Sequence, residues 1–239
     1  MAGPRRLRLL ALLRAGTDDV EIGRLCPATM AATASDGAGM MLMSGDVARG
    51  SVCATDDVST LIEDLQFTQG DGPCVDAHRG GRPVLEPDLA HQPRWPAFTG
   101  PVVDAGVCAI FGFPLHVDAV RLGALHVYRT RPGPLTADEH ADALVMADIA
   151  TRAVLMVQAG AEPGHLAAEL EDSLDLHYAV HQASGMVAAQ LEVSVGQALI
   201  RLRGHAFGND RSLHQVADDV VDRRLHFRDP DGEATVVAR

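Results

Sequence analysis

The sequence predicts an α+β domain followed by a smaller all-α domain. Strand-like segments occur only before residue 160 of the 239-residue chain, whereas the remainder shows only helical periodicity. Glycine and proline at 160–164 separate the two patterns. The length also suits a domain of roughly 150 residues joined to a smaller one. The predicted segments are a leading helix at 1–14, the α+β domain at 15–158, a linker at 159–164, a helical domain at 165–227 and a disordered tail at 228–239.

The composition indicates a packed, acidic protein. Hydrophobic residues make up 47% of the chain, and the formal net charge is −12. This charge argues against binding of polyanions through overall charge, although it is compatible with a local basic patch. No segment approaches the roughly 20 apolar residues that a membrane-spanning helix needs. We therefore expect a cytoplasmic protein without a membrane partner.

The first residues carry Arg5, Arg6 and Arg8 ahead of a leucine-rich run, as signal peptides do. The run is short and Arg14 interrupts it, so an amphipathic helix is the favoured interpretation. The four cysteines include no CxxC pair, which argues against a zinc ribbon. We expect reduced, mostly buried thiols and no metal site.

Two strand pairs are predicted in the α+β domain. The first is a hairpin of 37–44 and 50–55, joined by a glycine-containing turn. The second pair is 107–117 and 122–128. Because 107–117 is apolar almost throughout, it is expected to be a central strand covered on both faces.

Helices are predicted between and after these strands. Residues 56–70 have apolar side chains at helical spacing, with Thr55 as the cap and Gly70 as the stop; the apolar positions are Val58, Leu61, Ile62 and Leu65. The stretch 70–87 is expected to form loops, one short helix and an extended segment at 84–85. A surface helix is expected near Trp95 and Phe98.

Three capping boxes mark the starts of later helices. Thr136 with Glu139 opens a long helix over 136–158, Ser194 with Gln197 opens a second, and Ser212 with Gln215 opens a third. A further helical pattern covers 166–191. The C-terminal region is thus predicted to be a three-helix bundle joined by short turns.

Four local segments of the first domain resemble GAF domains, in particular those found ahead of ANTAR domains. They are LQFTQGDGPCVDAHRGGRPVLEPDL, RWPAF, GFPL and RLGALHVYR. The resemblance implies an antiparallel sheet with helices on its faces and a small-molecule sensor whose cofactor is unknown. A ligand pocket between the sheet and its covering loops would be lined by Met41, Met43, Cys53, Phe111 and Phe113. Cys74, expected in an exposed loop, is a possible redox thiol paired with Cys53 or Cys108.

The stretch HQASGMVAAQLEVSVGQALIRLRGHAFGNDRSLHQVADDVV is similar to the ANTAR domain. Members of that family bind paired hairpins in nascent RNA and prevent termination of transcription. The resemblance implies an RNA-binding face formed by His181, Ser184, Arg201, Arg203, His205 and Arg211. The family often has lysine at the position of Ser184, so this chain lacks one phosphate-binding cation.

The leading hypothesis is thus a transcription antitermination regulator without enzymatic activity or catalytic residues, acting as a homodimer paired through the 136–158 helix. A DNA-binding helix-turn-helix regulator is one alternative, although Asp218, Asp219 and Asp222 would be repelled by a major groove. A redox enzyme of the GAF type and a module that binds another protein are the others. No common hydrolase or nucleotide-binding motif supports an enzyme.

Overall fold

A computed structural model describes residues 3–13, 22–45, 47–91, 94–161, 167, 170, 178–209, 211–227 and 234–236. Contacts divide the chain into two units, Met1–Leu174 and Asp175–Arg239. The first unit extends past the predicted linker at 159–164, because Leu170 packs into its hydrophobic core. Most of the predicted 166–191 helix before Tyr178 lies outside the described residues.

A five-stranded antiparallel sheet forms the centre of the first unit. Its strands are β1 (Gly37–Ser44), β2 (Val47–Ala54), β3 (Val84–Glu86), β4 (Ala109–Val117) and β5 (Val120–Arg129). Their order is β2-β1-β5-β4-β3. The predicted strand pairs and the antiparallel arrangement are confirmed. β4 is buried on both faces along 109–115, as its apolar run predicts, but β5 takes the central position.

Six α-helices of the described part of this unit surround the sheet. They are α1 (Pro4–Leu13), α2 (Leu25–Ala32), α3 (Asp57–Gln69), α4 (Pro73–Gly80), α5 (Pro96–Asp104) and α6 (Ala137–Ala159). One layer contains α1, α2 and α6, whereas α3 and α4 pack on the opposite side of the sheet and α5 packs on α3. Of the helices in the described ranges, none is both long and apolar enough to cross a membrane.

One hydrophobic cluster fills the space between the sheet and the α1, α2 and α6 layer. β1 contributes Met40 and Leu42, and β4 contributes Phe111 and Phe113. Because side chains alternate between the faces of a strand, the residues between these positions face α3 and α4.

Ion pairs attach α1 to α6. The guanidinium of Arg8 lies 2.5 Å from the carboxylate of Asp142, which is nearly buried, and Arg6 pairs with Asp148. The side chains of Leu9 and Leu13 are fully buried in the same cluster. The leading helix is therefore amphipathic, as expected, and belongs to the first unit.

The cysteines depart from the prediction of reduced thiols. Cys26 of α2 and Cys53 of β2 form a disulfide, with their Cα atoms 5.9 Å apart. Cys74 and Cys108 are free. Because Cys53 is bonded to Cys26, it cannot serve as the expected redox partner of Cys74.

The second unit contains the helices α7 (Tyr178–Leu191), α8 (Val195–Gly208) and α9 (Leu213–Val221). Apolar residues of all three are buried, among them Val187, Leu202 and Val216. All three predicted capping boxes are present, at α6, α8 and α9, with both reciprocal hydrogen bonds formed in each.

The tail after residue 227 departs from the predicted disorder, because residues 234–236 form a strand. Strands β6 (Leu225–Phe227) and β7 (Ala234–Val236) pair antiparallel. Leu225 and Phe227 alternate inward and are buried, and the backbone N–H of Phe227 donates to Oε1 of Gln190 at 3.0 Å. Burial of the apolar side chains of Leu225 and Phe227 therefore stabilises β6. With only three residues, this strand shows too short an alternation to be predicted from the sequence.

We expect the Cys26–Cys53 disulfide to stabilise the first unit by about 3 to 4 kcal/mol, because it closes a loop between cysteines 27 residues apart. Cys53→Ser should lower the free energy of unfolding by that amount without reductant. Urea unfolding measures the difference in the free energy of unfolding between the native protein and Cys53→Ser. This difference should disappear when a reductant is added. Cys108→Ser is the matched control, and equal stability of Cys53→Ser and this control without reductant would contradict the prediction.

Candidate functional site

Helix α3 buries polar side chains against the sheet. The polar residues Ser59, Glu63 and Gln66 are each at most 2% exposed to solvent. The apolar residues Ile62 and Phe67 of the same helix are buried with them. Of the four apolar positions predicted to face inward, only Ile62 is fully buried. A helix with polar side chains on its inward face departs from the usual amphipathic pattern. Such departures are typical of functional sites.

Glycines on the sheet make room for these polar groups. His126 of β5 is paired with Gly39 of β1 on one side and with Gly112 of β4 on the other. A Cβ atom at Gly39 would lie 2.4 Å from Cε1 of His126 and 2.6 Å from Oε1 of Glu63. The imidazole and the carboxyl group therefore occupy the space that any larger residue at position 39 would take.

Glu63 and His126 face each other without a hydrogen bond. Oε1 of Glu63 lies 3.8 Å from Nδ1 of His126, which is too long for a hydrogen bond. Burial raises the pKa of Glu63 to about 8, against a smaller opposing effect of the Ser51 hydroxyl. Burial lowers the pKa of His126 to about 3. At pH 7 the contact is therefore one between neutral groups, and not an ion pair.

Gln66 connects α3 to the start of α4. Its Oε1 accepts a hydrogen bond of 2.6 Å from the backbone N–H of Cys74. Pro73, the first residue of α4, packs so closely on β4 that a Cβ at Gly112 would lie 2.7 Å from its carbonyl oxygen.

Cys74 is consequently not the exposed loop thiol that the sequence suggested. It lies in the first turn of α4 and is fully buried. Burial raises the pKa of its thiol, which keeps it protonated. A protonated and inaccessible thiol is a poor nucleophile, so the prediction of a redox role for Cys74 is not supported by its environment.

Asp56 and Tyr128 extend the polar row at the other end of α3. The Asp56 carboxylate caps α3 by accepting from the backbone N–H of Ser59 at 2.7 Å. It also accepts from the Tyr128 hydroxyl at 3.1 Å. Burial, followed by the effect of Asp56, raises the pKa of Tyr128 to about 12. We call Asp56, Glu63, Gln66, His126 and Tyr128 the polar cluster.

The five predicted pocket residues do not share one face of the sheet. Phe111 and Phe113 belong to the cluster against α6, where the ring of Phe113 lies 5.7 Å from that of His140, between centroids. Cys53 packs on that side as well. Met41 and Met43 lie on the other face, because they alternate along β1 with Met40 and Leu42 of that cluster. No single pocket can therefore be lined by all five. No pattern in the sequence had indicated the polar cluster.

In the second unit, two of the predicted RNA-binding residues have structural roles. Ser184 is 1% exposed, and its hydroxyl donates to the backbone carbonyl of Val180 at 2.7 Å. Arg211 lies 2.5 Å from the carboxylate of Asp219. Ser184 therefore cannot contact RNA from the surface, which corrects its assignment, and the charge of Arg211 is largely compensated.

The other predicted residues are partly exposed. Arg201, Arg203 and His205 lie on α8, and His181 lies on α7. Burial lowers the pKa of His205, whose ring lies 5.5 Å from that of Phe227.

Helix α8 also exposes two large apolar side chains that no sequence pattern had indicated. Ile200 is 66% exposed and Phe207 is 80% exposed. They are seven residues apart and share one face of the helix. Helical geometry places Arg203 one turn before Phe207 on this face, and Arg201 about 100° around the helix from Ile200. We call Ile200, Arg201, Arg203 and Phe207 the α8 face.

Glu63 makes the stability of the first unit depend on pH. Because its pKa rises from 4.5 to about 8 on folding, the folded state keeps a proton that the unfolded state releases. The resulting stability is fully present below pH 4.5 and is lost as the pH rises through 8. We expect Glu63→Gln, which mimics the protonated carboxyl, to gain stability relative to the native protein with rising pH, on the order of 1 kcal/mol per pH unit.

Urea unfolding between about pH 7 and about pH 8 measures this gain, and the titration of His126 affects both proteins because both contain it. Asp104→Asn, at an exposed carboxylate, is the control. A difference between Glu63→Gln and the native protein that stays constant with pH would show that Glu63 is ionised in the folded state.

Residues 20–154 match the sequence model of the GAF domain. Similar solved structures include the GAF domain of an Acinetobacter phosphoenolpyruvate-protein phosphotransferase, with 10% identity, a TM-score of 0.49 and coverage of 66% of this chain and 98% of that one. The corresponding domain from Coxiella burnetii has 13% identity, a TM-score of 0.46 and coverage of 64% and 96%. No curated protein matches the chain. Because the family match spans more than half of the 239 residues, the chain belongs to the family of GAF sensory domains.

Proposed function

We propose that this protein is a signal-responsive transcription antitermination regulator. The GAF domain receives a small-molecule signal, and the C-terminal helical unit binds hairpin loops in nascent RNA. The observation that carries the RNA-binding part is the α8 face, where the exposed Phe207 lies one helical turn from Arg203, with Arg201 on the adjoining side, in a chain of net charge −12. The similarity of 181–221 to the ANTAR domain supports the same function.

The chemistry of the α8 face suits an RNA loop. Bases in a loop are unstacked and can stack on an aromatic ring, which contributes about 1 to 3 kcal/mol per base. Arginine guanidinium groups bind the phosphates beside such a base. Phe207 can provide the ring, and Arg201 has no ion pair within the described part of the second unit that would compensate its charge. The α8 face therefore combines both kinds of contact.

The acidic surface of α9 favours RNA loops over duplex DNA. Asp218 and Asp222 are exposed on this helix or at its end, and Asp219 is paired with Arg211 and Arg224. In a helix-turn-helix arrangement α9 would enter the major groove, where these carboxylates would meet phosphates. A loop bound at α8 requires no such approach.

The proposed function includes no catalytic step. Of the four cysteines, two form a disulfide and Cys74 is buried, which leaves the partly exposed Cys108 as the accessible thiol. A redox enzyme would need a reactive thiol near a substrate site, and Cys108 lies outside the polar cluster.

We also propose that the protein acts as a homodimer paired through α6. Leu144 and Met156 of this helix are 42% and 75% exposed, which provides apolar surface for a second copy. Sedimentation velocity at micromolar concentration should show a dimer that Met156→Glu weakens. A native protein that sediments as a monomer would rule out this part of the proposal.

RNA binding is tested by fluorescence anisotropy with the full chain and an RNA containing two hairpins. Arg201→Ala and Phe207→Ala should each weaken binding about tenfold, because one loses a phosphate contact and the other a stacking surface. Val195→Ala is the matched control, since Val195 is 52% exposed on the same helix but on another side. Unchanged affinity in the Arg201→Ala, Phe207→Ala double variant, or equal affinity for duplex DNA, would refute the proposed RNA site.

A further inference from the structure

The Cys26–Cys53 disulfide ties an edge of the sheet to the helical layer. Cys53 lies near the end of β2, which is an edge strand, and Cys26 is the second residue of α2. Helix α2 packs against α6, the long helix that precedes the second unit in the chain. The bond therefore limits how far α2, a direct neighbour of α6, can move away from β2.

We propose that Cys26 and Cys53 form a reversible redox switch. Its state controls how firmly the N-terminal end of α2 is held to β2 and, through α6, how tightly the second unit binds RNA. The reductant is a dithiol and the oxidant is hydrogen peroxide. The proposal rests on the function proposed above, because it specifies the signal that the first unit receives.

A disulfide is unusual in the compartment where this function operates. A regulator of termination binds RNA while it is being transcribed, in a compartment whose thiol reductants keep most cysteines reduced. Disulfides that form there are mostly transient and serve catalysis or redox sensing. Because the proposed function includes no catalytic step, redox sensing is the role left for this pair.

The two cysteines differ in their access to solvent. Cys26 is fully buried, whereas Cys53 is partly exposed. A thiolate from solvent therefore attacks the sulfur of Cys53 and expels the thiolate of Cys26, which takes up a proton. The second thiolate of the dithiol then cleaves the mixed disulfide on Cys53. Two electrons thus pass from the dithiol, which becomes a disulfide, to the pair, which becomes two thiols.

Oxidation by hydrogen peroxide closes the bond again. The thiolate of Cys53 is oxidised to a sulfenic acid, and the sulfur of Cys26 displaces its hydroxyl group as water. One molecule of peroxide is consumed and two molecules of water are released. The Cα atoms of the two cysteines are 5.9 Å apart, a separation that suits a disulfide, so the bond closes without movement of the backbone.

The fold also accommodates the reduced pair. The sulfur of Cys26 lies 2.9 Å from the carbonyl oxygen of Cys53, so the buried thiol formed on reduction has an acceptor within reach. The C-terminal end of α2 has its own attachment, because the backbone carbonyl of Thr33 accepts from Arg129 of β5 at 2.8 Å. Reduction should therefore loosen the N-terminal end of α2 without unfolding the first unit.

The first experiment identifies the sulfur that reacts with solvent thiols. Cys26→Ser and Cys53→Ser each leave one thiol of the pair, and oxidised glutathione is the probe. Peptide mapping by mass spectrometry follows the mixed disulfide in the folded full chain. Cys53 in Cys26→Ser should react at least about tenfold faster than Cys26 in Cys53→Ser, because the buried thiol is less accessible. Equal rates in the two folded variants would contradict the proposed exchange at Cys53.

The second experiment uses the native full chain and does not depend on whether a variant folds. The oxidised protein is treated with dithiothreitol in the absence of denaturant, quenched with acid, and then denatured and labelled with a maleimide. We expect Cys26 and Cys53 to be labelled after this treatment, and hydrogen peroxide to restore the unlabelled pair. If the bond opens only when urea unfolds the chain, it is a permanent crosslink and the proposal is wrong.

Hydrogen exchange measures the loosening of α2. At labelling times too short for β5 to exchange, reduction should raise exchange in 22–32 and 47–54 and leave α3 unchanged. Cys108→Ser should respond to the reductant as the native protein does. Cys53→Ser should show the raised exchange with and without reductant. The same exchange in the oxidised and the reduced native protein would refute the loosening and, with it, the switch.

RNA affinity distinguishes this switch from the function on which it rests. The affinity of the native protein should differ at least about fivefold between its oxidised and reduced states, whereas Cys53→Ser should bind RNA equally with and without reductant. Equal RNA affinity in both native states would overturn control by this pair. A protein that binds RNA in neither state would instead overturn the proposed function, and labelling and hydrogen exchange would still decide whether the pair opens and loosens α2.

Discussion

The pairing of β5 between β1 and β4 is the constraint on which the first unit depends. It fixes the face on which each side chain of the central strand lies, because neighbouring residues of a strand point to opposite sides. His126 thereby lies between Gly39 and Gly112, facing α3. A shift of one residue would turn His126 into the apolar cluster against α6 and bring Val127 under Glu63. The register thus keeps the apolar and polar halves of the unit apart.

Much of the architecture could be predicted because its signals are local. The starts of α6, α8 and α9 follow from capping boxes that lie within four residues of sequence. The end of α3 at Gly70 follows from a left-handed backbone conformation with φ of +69°, which glycine adopts readily. The two strand pairs could be predicted from short apolar runs that lie next to turn residues.

The parts that were not predicted depend on contacts between distant residues. Cys26 and Cys53 are 27 residues apart, and nothing in their spacing indicates a bond. The inward face of α3 could not be found from its apolar residues, because the partner surface contains glycines and a histidine from strands far along the chain. Ser184 looked like a surface residue because serine is polar, whereas its hydroxyl is satisfied within its own helix.

The attachment of α1 to α6 has a consequence for measurements on this protein. It relies on Arg5, Arg6 and Arg8 facing three aspartates, and all but Asp142 of these side chains are substantially exposed. Exposed ion pairs weaken as ionic strength increases. Arginine contacts to phosphates weaken in the same range. A titration with potassium chloride therefore acts on both units at once, and the first unit studied alone shows how much of the response belongs to its leading helix.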